Sequence, residues 1–138
     1  MPTYKGVVTD FVPGDNISLR RTIARDGGGV PDEVLPDGAT IVKAWFTIKE
    51  KVSDADGDAL IQKEITTLAS AGIGEIENDG SGDTDPVLRF DLVPANTLVI
   101  GVLPKRYDVQ VLTSTGEVYT PEVGKIYAST QQVTIASS

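Results

Sequence analysis

Thr40-Ile41-Val42-Lys43-Ala44-Trp45-Phe46-Thr47-Ile48-Lys49-Glu50 is the stretch that decides the fold. Val42, Ala44, Phe46 and Ile48 fall on one side of an extended chain, and Lys43, Trp45, Thr47 and Lys49 on the other. A period of two, apolar on one face and charged on the other, predicts a half-buried antiparallel strand. The inward set is assigned to the core. Trp45, the single tryptophan, shares the outer face with the lysines. An exposed aromatic of that kind is a candidate interface anchor; the plainer alternative is that this face is also covered.

Outward from this strand the chain is cut into short pieces by Gly, Pro, Asp and Asn, and no amphipathic helical pattern lasts three turns. Residues 4–12 and 17–23 read as strands, the second with Ile17, Leu19 and Arg21 on one face. Its alternation is imperfect, as at a sheet edge. Residues 26–38, with Gly27, Gly28 and Gly29 in a row, read as a mobile or partner-ordered loop, because consecutive glycines hold no backbone shape cheaply. Residues 59–65 fit a strand or a short helix. The Asp-Gly step at 56–57 is a hairpin signal and favours the strand. Residues 72–77 form a further strand, and 78–86 a long acidic turn. Residues 87–93 alternate, with Leu88, Phe90 and Leu92 inward and Arg89 and Asp91 outward. Residues 94–97 are a break or one helical turn, and 99–103 an apolar run ended by Pro104. Tyr107, Val109 and Val111 set the inner face of a strand over 106–112. Thr113 to Glu117 is a turn, Val118-Tyr119-Thr120 stops at Pro121, and strands over 124–128 and 131–135 are the last. The expected fold is all-β: one domain over residues 1–138, an immunoglobulin-like antiparallel β-sandwich of about seven to nine strands with a short N-terminal arm.

Composition narrows the chemistry. Aromatics are only 6% of the 138 residues, so the core must be built mainly from Val, Ile, Leu and Ala, which suits sheets. There is no cysteine and no histidine. Disulfides, thiolate metal sites, Cys nucleophiles and Ser-His-Asp triads are thereby excluded. A net charge of −8 argues against nucleic acid as the main partner. No segment approaches the ~20 apolar residues that span a bilayer, and the first residues lack a signal-peptide layout. Synthesis in the cytoplasm and no membrane partner are the expectations.

Two acidic turns carry the metal-ligand candidates: Asp54, Asp56 and Asp58 in one, Asp79, Asp83 and Asp85 in the other. Clustered carboxylates supply the six to eight oxygens that calcium needs. The EF-hand pattern fails, because Gly57 comes too early and the twelfth position from Asp54 is Ile65. Asp-Gly-rich hairpins give the same composition without metal, and no cofactor is expected. Asp91 is the only strand carboxylate to weigh as a catalyst, and its outward place beside Arg89 reads as a surface charge. Residues 26–29 lack the Gly-Lys-Ser/Thr of a phosphate loop. An enzyme is not expected. The interface candidates are Tyr4, Gly27, Gly28, Gly29, Val30, Pro31 and Trp45, with Tyr119 and Tyr127 near strand ends.

The order of segments resembles a known family. The carriers are Gly14-Asp15-Asn16-Ile17-Ser18-Leu19, the run Asp37-Gly38-Ala39-Thr40 into the 41–48 strand, Val87-Leu88-Arg89-Phe90-Asp91-Leu92, and the hairpin Tyr107-Asp108-Val109-Gln110-Val111 with Thr115-Gly116-Glu117-Val118. Over roughly residues 14–135 these resemble the immunoglobulin-like virion proteins of tailed bacteriophages, such as the N-terminal domain of upper baseplate proteins. The acidic 71–85 stretch is longer than the family pattern. The resemblance implies a non-enzymatic role in the virion: a decoration, cement or attachment subunit, repeated symmetrically and bound to capsid or tail proteins. A carbohydrate- or calcium-binding module is the competing expectation.

Overall fold

The computed structural model describes residues 4–9, 11–23, 38–50 and 59–128. Eight strands and one short helix follow in chain order: β1 (Tyr4–Val8), β2 (Ile17–Thr22), β3 (Ile41–Lys49), β4 (Ile61–Ile65), β5 (Gly74–Asn78), β6 (Val87–Leu92), α1 (Pro94–Ile100), β7 (Lys105–Thr113) and β8 (Val118–Ile126). They form a five-stranded sheet in the order β1-β8-β7-β3-β4 and a three-stranded sheet in the order β2-β6-β5. This is an all-β sandwich. The B, E and D strands of an immunoglobulin domain correspond to β2, β6 and β5, and its C, F and G strands to β3, β7 and β8. Every pairing is antiparallel except β1 with β8, which runs parallel. Both β2 and β5 are edges, in keeping with the broken alternation of residues 17–22.

The core lies between the sheets. Phe46 from β3 meets Phe90 from β6 with ring centroids 5.3 Å apart and planes tilted by 33°. Tyr107 from β7 also packs against Phe46 at the same centroid distance. Ala44, Phe46 and Ile48, Leu88, Phe90 and Leu92, and Tyr107, Val109 and Val111 are all buried. Aliphatic side chains fill the rest of the layer, as the low aromatic content requires.

Of the three register slips among the described strands, one lies on β5 between Ile76 and Asn78, and the other two bear on the alternation read from the sequence. The register of β3 on β7 slips between Ile41 and Lys43. Ile41 consequently turns inward (1% exposed) and Val42 outward (45%), so Val42 does not belong to the core set assigned from period two. A bulge adds a residue to one strand and reverses the facing of what precedes it. On β8 a second slip, between partners Val109 and Val111 of β7, falls beside Pro121. Proline lacks a ladder donor and is tolerated at a bulge; β8 therefore continues through Pro121 where the sequence reads as interrupted. Thr47 is fully buried on the outer face, where its hydroxyl accepts a hydrogen bond from Gln62 Nε2 at 3.0 Å.

Gly124 shows why β1 can join the sheet. A Cβ there would stand 2.1 Å from the Gly6 carbonyl oxygen and 2.9 Å from Tyr107. Only a residue without a side chain lets the two backbones and the ring meet.

Candidate interaction surfaces

The sandwich is pinned by a polar bridge. Arg21 on β2 crosses the gap and donates through Nε to both carboxylate oxygens of Glu122 on β8, at 2.9 and 3.1 Å. Tyr107 donates its hydroxyl to Glu122 Oε2. The Glu122 side chain is 6% exposed and that of Arg21 28%. Burial, then the Glu122 hydrogen bond, pushes the Tyr107 hydroxyl pKa well above its ordinary value. Burial opposes the Arg21 charge, but Glu122 and Tyr107 outweigh it and hold the guanidinium above its usual pKa. A carboxylate saturated by a cation and a phenol is arranged to join two sheets, not to accept a substrate proton.

The outer face of the three-stranded sheet is closed by its own charges. Arg20 stands opposite Arg89 in register, and Glu77 bridges them. Arg20 binds Glu77 through two hydrogen bonds of 2.6 and 2.8 Å, and Arg89 reaches it at 2.8 Å. Asp91 accepts from Ser18 at 2.8 Å and from Arg89 at 3.2 Å. Asp91 is thus a partner in a surface network.

The acidic turn after β5 is likewise consumed by its own geometry. Asn78 Oδ1 accepts from the Gly80 amide at 2.9 Å, and its Nδ2 donates to the Asp85 carbonyl at 3.1 Å. Asp79 Oδ1 accepts from the amide and the hydroxyl of Ser81, at 2.9 and 2.5 Å. The Ser81 hydroxyl, then its amide, holds the Asp79 carboxyl pKa below the usual range. Among the described residues no three Asp or Glu side chains gather as a metal site would need. Asp85 is exposed, and the side chain of Asp83 is not described. Asp54, Asp56 and Asp58, like Gly27, Gly28, Gly29, Val30 and Pro31, lie outside the described residues. Tyr4 begins β1, at an edge of the larger sheet.

Trp45 stands on the outer face of the five-stranded sheet, with Glu64 and Gln110 as its cross-strand partners. Its indole N–H donates to Glu64 Oε1 at 2.9 Å, and Lys43 lies 3.5 Å from the same carboxylate. The ring is half-buried, so Trp45 is a partly covered aromatic rather than an open stacking platform. Farther along this face, a cavity of about 390 Å³ is lined by residues of β1, β3, β7 and β8, among them Val7, Lys49, Arg106, Asp108, Val123 and Lys125.

At one end of the sandwich the connection from β6 to β7 presents an apolar surface. Pro94 suits the first turn of α1. Asn96 Oδ1 accepts the Val93 amide at 2.9 Å. Thr97, buried, accepts from the Gly14 amide and donates to the Asp15 carbonyl, both at 2.9 Å. Only Thr97 and Ile100 of α1 are buried. One turn of helix separates them, so Leu98 and Val99 point away at 60% and 52% exposure. Val102 and Leu103, in the bend beyond, are 40% and 69% exposed. The sequence shows an apolar run here; the helical phase that turns most of it to solvent becomes visible only once Thr97 is seen to anchor the Gly14–Asp15 turn.

No family model and no curated protein matches the chain. Among the described residues, no helix is long and apolar enough to cross a membrane.

Proposed function

We propose that this domain is a structural virion subunit of a tailed bacteriophage, docking on capsid or tail proteins in repeated copies. The observation that carries the protein-binding part is the exposed quartet Leu98, Val99, Val102 and Leu103. Contiguous apolar surface on a small domain is retained where a partner covers it. The ordinary polar fates of the other prominent residues support the same reading. Glu122 is spent on joining sheets, Asp91 on a surface network, and Asp79 on closing a turn. The virion setting rests on the segment order that resembles phage immunoglobulin-like domains.

The test is co-expression with the candidate capsid and tail proteins of the source genome, followed by sedimentation of the assembled particles. The parent chain should travel with one of them. Leu98→Asp combined with Leu103→Asp should keep the parent melting temperature, since both side chains are exposed, and should leave the chain in the supernatant. A parent that sediments with neither assembly refutes the virion role. A variant that sediments normally refutes the patch.

A further inference from the structure

Three cations stand side by side on the outer face of the larger sheet. Lys49 on β3 is in register with Arg106 on β7, and Arg106 with Lys125 on β8. Val7 on β1 continues the row. Like charges directly opposite one another weaken a sheet. The smaller sheet shows how this chain relieves the same conflict: its facing pair Arg20 and Arg89 shares the carboxylate of Glu77. Arg106 and Lys125 make no ion pair with any described residue. The row borders the cavity of about 390 Å³, whose lining holds three cations against the one carboxylate of Asp108. On a chain of net charge −8, that is a local reversal of sign.

The cavity also has apolar walls, Val7 and Val123, and Val7 is 63% exposed. Neighbouring strands lie about 4.8 Å apart, so the outer cations are separated by about 10 Å along the row. An extended peptide laid across the strands covers that distance in about three residues, at roughly 3.3 Å each.

We propose that this groove docks an extended acidic segment of a partner protein. Two carboxylates two residues apart share one face of the extended segment and reach Arg106 and Lys125, and an apolar side chain two residues farther along that face packs on Val7, beside Val123. Arg106 can take a carboxylate through two parallel hydrogen bonds. A nucleic-acid strand fits worse: its phosphates would continue past the row onto an acidic surface, and it has no use for the two valines. The inference rests on the protein-binding reading only in taking the partner to be a protein. Its lining residues are distinct from the four of the α1 patch.

The probe is the blocked peptide Asp-Ser-Glu-Ser-Val, with Asn-Ser-Gln-Ser-Val as its neutral counterpart and a short oligothymidylate as the anionic alternative. Titration followed by amide chemical shifts should move Val7, Arg106, Val123 and Gly124, and half-molar salt should reverse the change. Arg106→Gln with Lys125→Gln should weaken acidic-peptide binding about tenfold or more. The same double variant should melt at or above the parent temperature, because it removes like-charge repulsion. A melting temperature lowered by several degrees overturns the premise. Equal binding of the neutral peptide, equal binding of the oligonucleotide, or shifts centred elsewhere overturns the proposal, as does no binding at all. Leu98→Asp with Leu103→Asp should leave peptide binding intact, so loss of particle docking and loss of the groove are read separately.

Discussion

Replacing Glu122 by Gln isolates the charge that joins the two sheets. The substitution keeps the side-chain shape and removes the carboxylate that Arg21 and Tyr107 share. It leaves a guanidinium facing an amide, with one donor pointing at another. Breaking a buried ion pair from one side costs about 3–5 kcal/mol. Arg21 retains 28% exposure, so water recovers part of its solvation, and about 2–3 kcal/mol is expected. For a domain of this size, 1 kcal/mol moves the melting temperature by about 3–4 °C, giving a fall of about 6–12 °C. Urea unfolding followed by fluorescence of Trp45, the single tryptophan, reads it directly. The midpoint should drop with an unchanged slope. Arg21→Met combined with Glu122→Leu, which removes both charges, should recover most of the loss. A Glu122→Gln variant within about 0.5 kcal/mol of the parent would refute the idea that this carboxylate holds the sheets. So would a double variant as unstable as the single one.

Three further outcomes follow from neighbouring geometry. The hydroxyl pKa of Tyr107 is raised in the folded state, so its contribution is complete below the unfolded value of about 10 and declines as pH rises beyond it; Tyr107→Phe should flatten that alkaline loss in a pH series of urea midpoints. Gly124→Ala should destabilise by about 2–3 kcal/mol, with amide-exchange protection lost first in β1, because the added methyl meets the Gly6 carbonyl; retained protection there would contradict the seating argument. The side-chain hydrogen bond from Arg20, with help from Arg89, holds the Glu77 carboxyl pKa below its ordinary value; a carbon-detected titration should show this, and Arg20→Ala should bring it back toward the normal range.

Legibility tracked locality. The alternation in residues 87–92 and 105–113 is local, and the inward sets Leu88, Phe90, Leu92 and Tyr107, Val109, Val111 are buried as read. The bulges at Ile41–Lys43 and beside Pro121 depend on the partner strand, so periodicity alone turns Val42 inward and breaks β8 at Pro121. The Arg21–Glu122 contact joins residues 101 apart in sequence. Glu122, between Pro121 and Val123, carries no local sign of burial. Lys49, Arg106 and Lys125 each read as ordinary outward charges. Their adjacency exists only through the β3-β7-β8 register. The outward turn of Leu98 and Val99 was hidden for a similar reason, since Thr97 finds its partners at Gly14 and Asp15.

The parallel ladder between β1 and β8 has a bearing on how the polypeptide matures. These strands stand nearly the whole described length apart, and closing so wide a span is slow. During translation, β2 through β7 emerge while the first strand still waits for its mate. Glu122 arrives on that same late strand. Until it docks, the phenol of Tyr107 and the guanidinium of Arg21 have no acceptor and stay hydrated. Docking of β8 therefore zips the sheet edge and seals the seam between the layers in one event, and the nascent chain stays open to proteases until β8 has cleared the ribosome.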